Sequence, residues 1–270
     1  ISTLDTVAAG QALIDSAGLT VAAISKGELG GAQRTWLANP DTAGRSTNVT
    51  VSFDVSGEVG IGGAIVITVP NQWLVSASPA VTFVKPSGVT GSVAWNNASR
   101  LLSTTVAGNK VPEGAAVQMI LHGMYSPPSQ RAQSSTQART FDAAQIAIDG
   151  PTDIAVAAVF AGSLTGGQWS SAQNHPGMVS DATLSFATTG AVPAGGLITV
   201  QLPAVSGPST GWSMANAPVV DIRSPSSAVV GASTWQSASQ TLIVELGSAL
   251  PAGANVVLDL QDGQTPSSAL

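Results

Sequence analysis

Apolar and polar residues alternate along much of this chain. In TNVTVSFDV, Val49, Val51, Phe53 and Val55 fall on one side and Asn48, Thr50, Ser52 and Asp54 on the other. Val117, Met119 and Leu121 alternate with Gln118 and His122, and Val256, Leu258 and Leu260 follow the same rule. Successive side chains of a strand point to opposite faces, so a period of two marks a strand with one buried face. Turn-forming clusters such as SGE, NNAS, PEG and PAGG separate these runs. The spacing predicts about seven or eight strands per copy of a repeat, typical of an immunoglobulin-like sandwich. No strong amphipathic helix is predicted.

The chain contains the same pattern twice. TNVTVSFDVSGEVGIGGAIVITVP matches SDATLSFATTGAVPAGGLITVQLP, and LTVAAISKGELGGAQRTW matches IAVAAVFAGSLTGGQW. Trp36 aligns with Trp169 and Pro70 with Pro203 at one constant offset, and Trp95 aligns with Trp235 at a larger one. The extra residues fall after Pro203, where AVSGPSTGW replaces NQW. Trp73 and Trp212 each stand shortly before a proline, Pro79 and Pro218. All six tryptophans therefore pair across the repeat. That favours a role as core anchors over a sugar-stacking platform, because a buried Trp removes a large apolar area from water. The expected fold class is all-β, two tandem immunoglobulin-like antiparallel β-sandwich domains. Residues 1–16 form an N-terminal strand segment, 17–150 the first repeat and 151–270 the second.

Composition narrows the function. Hydrophobic residues make up 44% of the 270, enough for a core in each repeat. Charged residues make up only 9%, against about a quarter in ordinary globular proteins. The net charge of −6 is thinly spread and forms no basic patch for phosphates, so nucleic acid is not an expected partner. The chain has no cysteine, which excludes disulfides, thiolate metal sites and cysteine nucleophiles. Residues 61–69, the longest apolar run, are too few to span a bilayer and include two glycines, so membrane insertion is not expected. The chain opens on Ile1 rather than Met, as a processed or partial chain would.

Candidate chemistry is sparse. His122 lies on the polar side of its strand and His175 in a loop, neither beside a Ser/Asp motif or a carboxylate cluster. Asp149 and Asp153, and Asp259 and Asp262, stand close in sequence but lack the spacing of a calcium loop; turn capping is the better reading. Gly30-Gly31 and Gly166-Gly167 precede no Lys-Ser/Thr or helix and read as turns. No catalytic residue, metal or cofactor is expected. Two sequons, Asn48-Val49-Thr50 and Asn97-Ala98-Ser99, place an acceptor asparagine on an outward face and in a turn. The Pro/Ser/Thr-rich residues 126–138 read as a linker open to O-linked sugars.

The segment TLDTVAAGQALID near the start matches TFDAAQIAIDG at 140–150. This strand either opens its own domain or closes the one before it. The second frame, favoured by analogy with immunoglobulin-like endings, leaves an open edge on the second repeat and a spare strand at residues 4–14. Leu4, Val7, Leu13 and Ile14 then form an assembly strand for a neighbouring copy, since strand addition satisfies both.

The run Ile65 to Pro70, with Trp73, Pro79, Trp95, Val111-Pro112-Glu113-Gly114-Ala115, Ser126-Pro127-Pro128-Ser129 and Thr140-Phe141, resembles repeat domains of large extracellular proteins from eukaryotic microalgae and other protists. Some of those build mastigoneme-like hairs or glycan-coated fibrils. The resemblance implies a glycosylated fibril subunit and transfers no catalytic residues. The expected function is a structural subunit of an extracellular filament or coat, partnered by copies of itself and carrying N-glycans. The alternative is an adhesin or carbohydrate-binding module; a glycosidase would need two facing carboxylates, and no such pair stands out.

Overall fold

The computed structural model describes residues 2–4, 13–16, 24–203 and 211–267. The protein is all-β. A short hairpin, β1 (Ser2–Leu4) and β2 (Leu13–Ser16), comes first. The first repeat supplies β3 (Gly30–Asn39), β4 (Ser46–Asp54), β5 (Ala64–Thr68), β6 (Leu74–Lys85), β7 (Val89–Asn96), β8 (Leu101–Gly108) and β9 (Ala116–Tyr125). A second hairpin follows, β10 (Ser134–Phe141) and β11 (Ala147–Val156). The second repeat then gives β12 (Thr165–Ser171), β13 (Val179–Ala187), β14 (Leu197–Gln201), β15 (Val220–Ser224), β16 (Val230–Gln236), β17 (Thr241–Leu246) and β18 (Asn255–Gln264).

The first repeat differs from the expected two-layer sandwich. Its strands and the β10–β11 hairpin form a single nine-stranded sheet in the order β6-β9-β4-β3-β11-β10-β5-β8-β7. Edge strands β6 and β7 are consecutive and pack together; a Cβ added at Gly91 would stand 3.2 Å from the Phe83 ring. The sheet thus curls into a near-closed barrel around Trp36, Phe53, Ile65, Ile67, Leu102, Met119 and Leu121, all buried. The physical reason is the hairpin. It lies between β3 and β5, which belong to opposite layers, and hydrogen-bonds them into one sheet. Alternation along a strand reports which face is buried, not which neighbour fills an edge.

The second repeat keeps two sheets, β12-β13-β18-β15 and β14-β17-β16. These orders match β3-β4-β9-β6 and β5-β8-β7 of the first repeat. A second, separate core forms around Phe186, Leu242, Val244, Leu246 and Leu258. The tryptophans keep their places: Trp36 meets Trp73 edge-on at 5.5 Å, and Trp169 meets Trp212 at 5.6 Å. Trp36, Trp73 and Trp235 are buried, and Trp95, Trp169 and Trp212 half-buried.

Residues 126–138 are not a linker. Ser126 and Thr136 are buried, and residues 134–138 run within β10. In a chain so poor in charge, Ser, Thr and Gln also line outward strand faces, so composition alone does not distinguish strand from spacer. β11 likewise runs through the boundary expected at residue 150.

Candidate assembly site

The β10–β11 hairpin is held in the first sheet on both sides. β10 pairs antiparallel with β5, Thr140 opposite Ile65 and Phe141 opposite Ala64. β11 runs parallel to β3, Val156 opposite Trp36. At the other end of β11, the Gly27 N–H donates to the Ile148 carbonyl (2.8 Å) and the Gly150 N–H to the Gly27 carbonyl (3.0 Å). Side chains complete the seat. Asp149 is fully buried, where a carboxylate needs partners. It accepts from the Thr140 hydroxyl (2.6 Å), from the Ser56 N–H (3.2 Å) and from the Ser56 hydroxyl. Its own N–H donates to Thr140 Oγ1 (3.1 Å). The Leu29 N–H donates to the Thr152 hydroxyl (3.1 Å), and Ile154 and Val156 join the core.

The matching edges of the second repeat are bare. Among the described residues, β12 pairs only with β13 and β14 only with β17. Leu164, the counterpart of Leu29, is 63% exposed where Leu29 is 1%. Leu197, at the start of β14, is exposed where its counterpart Ala64 is buried. Thr189 stands in the place of Ser56, and its hydroxyl donates to the Ser163 carbonyl rather than to a carboxylate.

The N-terminal hairpin repeats the design of the one that closes the first sheet. Thr3 pairs with Asp15 as Thr140 pairs with Asp149. The register then slips between Thr3 and Leu4, as it does between Thr140 and Phe141. Leu4 lies in β1, and Leu13 and Ile14 in β2; Val7 lies outside the described residues. Ile24, which aligns with Val159, is 99% exposed, whereas Val159 is 2% exposed in the first core. The Thr…Asp pairing shared by the two hairpins is legible in the sequence; the burial of Asp149 inside a strand is not, and the turn-capping expectation is corrected there.

The two repeats also meet directly, at the turn around residues 42–45. The Ala43 N–H donates to the Phe160 carbonyl (2.8 Å), and the Phe160 N–H to Asp41 (2.9 Å). The Ala191 N–H donates to the Gly44 carbonyl (2.8 Å), and the Arg45 guanidinium to the Thr189 carbonyl (3.0 Å).

The remaining candidates are dispersed. Asn48 and Asn97 are exposed; Asn48 Oδ1 lies 3.0 Å from the His122 ring, which also meets the Thr82 hydroxyl (3.1 Å). Asp259 accepts from the Thr183 hydroxyl (3.0 Å) and lies 3.6 Å from Arg223. Among the described residues, no three His, Cys, Asp or Glu side chains group as metal ligands, and no helix is long and apolar enough to cross a membrane.

No family model matches the chain, and no curated protein matches it. Two solved structures are similar over most of its length. One is described as the complete manganese lipoxygenase of Gaeumannomyces graminis with a partial zonadhesin of Komagataella pastoris. It is 13% identical, covering 88% of this chain and 85% of that one, with a TM-score of 0.29. The other is the C-terminal domain of the Streptococcus agalactiae AgI/II polypeptide BspA, 9% identical over 90% of this chain and 91% of that one, with a TM-score of 0.28.

Proposed function

We propose that this chain is a structural subunit of an extracellular, glycosylated filament or surface coat, whose copies join head to tail by β-strand donation. In this reading both repeats are immunoglobulin-like sandwiches at root, and a hairpin converts each into a barrel. The first repeat uses β10–β11. The second receives β1–β2 of another copy. The observation that carries the reading is the shared register and shared slip of the two hairpins. It is supported by the bare edges of β12 and β14. Main-chain hydrogen bonds along the added strands supply affinity, with Leu4, Val7, Leu13 and Ile14 supplying fit. A head-to-tail contact that does not close into a ring produces an open filament. N-glycans at Asn48 and Asn97 suit a surface poor in charge.

The test is deletion of residues 1–16. The shortened chain is expected to retain the melting transition of the first barrel and to sediment as a monomer, while the full chain forms filaments visible by electron microscopy. Loss of the first barrel, or filaments without residues 1–16, overturns the reading.

A second reading, an adhesin or carbohydrate-binding module, is favoured by a cleft of about 380 Å³ beside the first barrel. Pro70, Trp73, Pro127 and Val156 line it, and Arg131 hydrogen-bonds Gln72 there. A monomeric chain retained on a glycan column would select this reading.

A further inference from the structure

The turn that joins the two repeats exists twice. In the first repeat the Ser126 hydroxyl accepts the Arg45 N–H (2.9 Å) and donates to the Thr42 carbonyl (2.6 Å), and the Gly44 N–H donates to Pro127 (2.7 Å). In the second repeat the Thr265 hydroxyl accepts the Met178 N–H (2.9 Å) and donates to the His175 carbonyl (2.6 Å), and the Gly177 N–H donates to Pro266 (2.8 Å). Gly44 and Gly177 share the left-handed backbone, with φ of 65° and 73°. This is one local structure built from two sequences.

Among the described residues, only the first of these turns is occupied. A Cβ added at Gly44 would stand 2.6 Å from the Ala191 carbonyl; one added at Gly177 would meet nothing within 4 Å. Residues 172–179 are exposed throughout, whereas Ala43 is buried and its neighbours half-buried. By the repeat, the surface that fills the first turn, residues 189–191, corresponds to residues 56–58. Phe160, which bonds the first turn, corresponds to Ser25, just beyond the N-terminal hairpin.

We infer that the turn at residues 175–178 is a second docking surface, and that it receives residues 56–58 and Ser25 of another copy of this chain. The inference rests on the head-to-tail reading above and adds a contact to it. The hairpin and the turn then act together, so the joint between chains reproduces the joint within a chain. It reproduces it incompletely. Pro176 replaces Ala43 and has no N–H for the strand beside it, and Met178 replaces Arg45 and has no guanidinium for the carbonyl of residue 56. The Gly177 carbonyl takes a long hydrogen bond from the Gln264 side-chain amide (3.3 Å) and has a second lone pair for the Glu58 N–H, as Gly44 accepts Ala191. The joint between chains is therefore the weaker of the two, by the main-chain bond at Pro176 and the guanidinium bond at Met178.

The test uses a protein with no cysteine of its own. Glu58→Cys and His175→Cys chains are prepared separately, mixed under assembling conditions and treated with a short bis-maleimide, with sedimentation followed in parallel. A doubly substituted Thr42→Cys, Ala191→Cys chain, bridged internally, calibrates the reagent. The expected product is a covalent dimer from the mixture and none from either variant alone. Assembly without that dimer overturns the docking turn and leaves strand donation standing; absence of assembly in the unsubstituted chain overturns both. Met178→Arg, which restores the missing donor, is expected to lower the concentration for half-assembly by about fivefold to tenfold. A folded Met178→Arg chain with unchanged or poorer assembly also overturns the turn's role.

Discussion

The two repeats share strand order, tryptophan pairs and turn structure, yet one forms a near-closed barrel and the other two separate sheets. The difference is one hairpin. Where β10–β11 is present, Leu29 and Val159 are in the core; where no counterpart lies among the described residues, Leu164 remains in water. An edge strand with unpaired main-chain groups is a template for pairing with another chain, and native proteins commonly blunt or cover such edges. The comparison separates residues that serve the fold of a repeat from residues that serve its completion.

The largest expected contrast is between two aligned leucines. Leu29→Ala removes a side chain that is 1% exposed and is expected to destabilise the first barrel by about 2–5 kcal/mol. Leu164→Ala, at a site 63% exposed, is expected to change the stability of the free chain by less than about 0.5 kcal/mol while weakening assembly. Thermal or denaturant melts of the two variants decide this. Equal losses would remove the distinction between filled and bare edges.

A smaller contrast concerns the polar lock. Asp149→Ala strands the hydroxyls and N–H that the carboxylate accepts from and is expected to cost the first barrel about 2–3 kcal/mol. Asp15→Ala is expected to leave the melting of the free chain unchanged and to raise the concentration needed for assembly. If Asp15→Ala assembles like the unsubstituted chain, the two hairpins are not equivalent in use. The smallest effect is expected from the sequons. Asn48→Gln and Asn97→Gln are expected each to lower the mass of native material by one glycan, with little change in melting, as read by glycopeptide mapping.

Much of this architecture is legible in the residues themselves. The alternation of Val49, Val51 and Phe53 marks β4, and the paired tryptophans mark the repeat, because both patterns are local or self-similar. The joining of layers is not legible, since the apolar run of β5 reads the same whether its neighbour is β10 or solvent. Asp149 reads as a turn residue because Asp-Gly-Pro is turn-like; its burial depends on Ser56, far away in sequence. Likewise the match between Gly44 and Gly177 acquires meaning only once Ser126 and Thr265 are seen to hold both turns in the same way.

The parallel pairing of β3 and β11 has a mechanical consequence. The chain enters the first barrel at Gly27, just ahead of β3, and leaves it at Val156, at the end of β11. A pull on the two ends therefore drags these neighbouring strands past each other along their length. Tension is shared by the contacts at Gly27, Thr35 and Trp36 at once, rather than opening them one after another from a free end. In this loading geometry the barrel yields by shear, not by peeling, and the hairpin that closes it also becomes the part that bears the load.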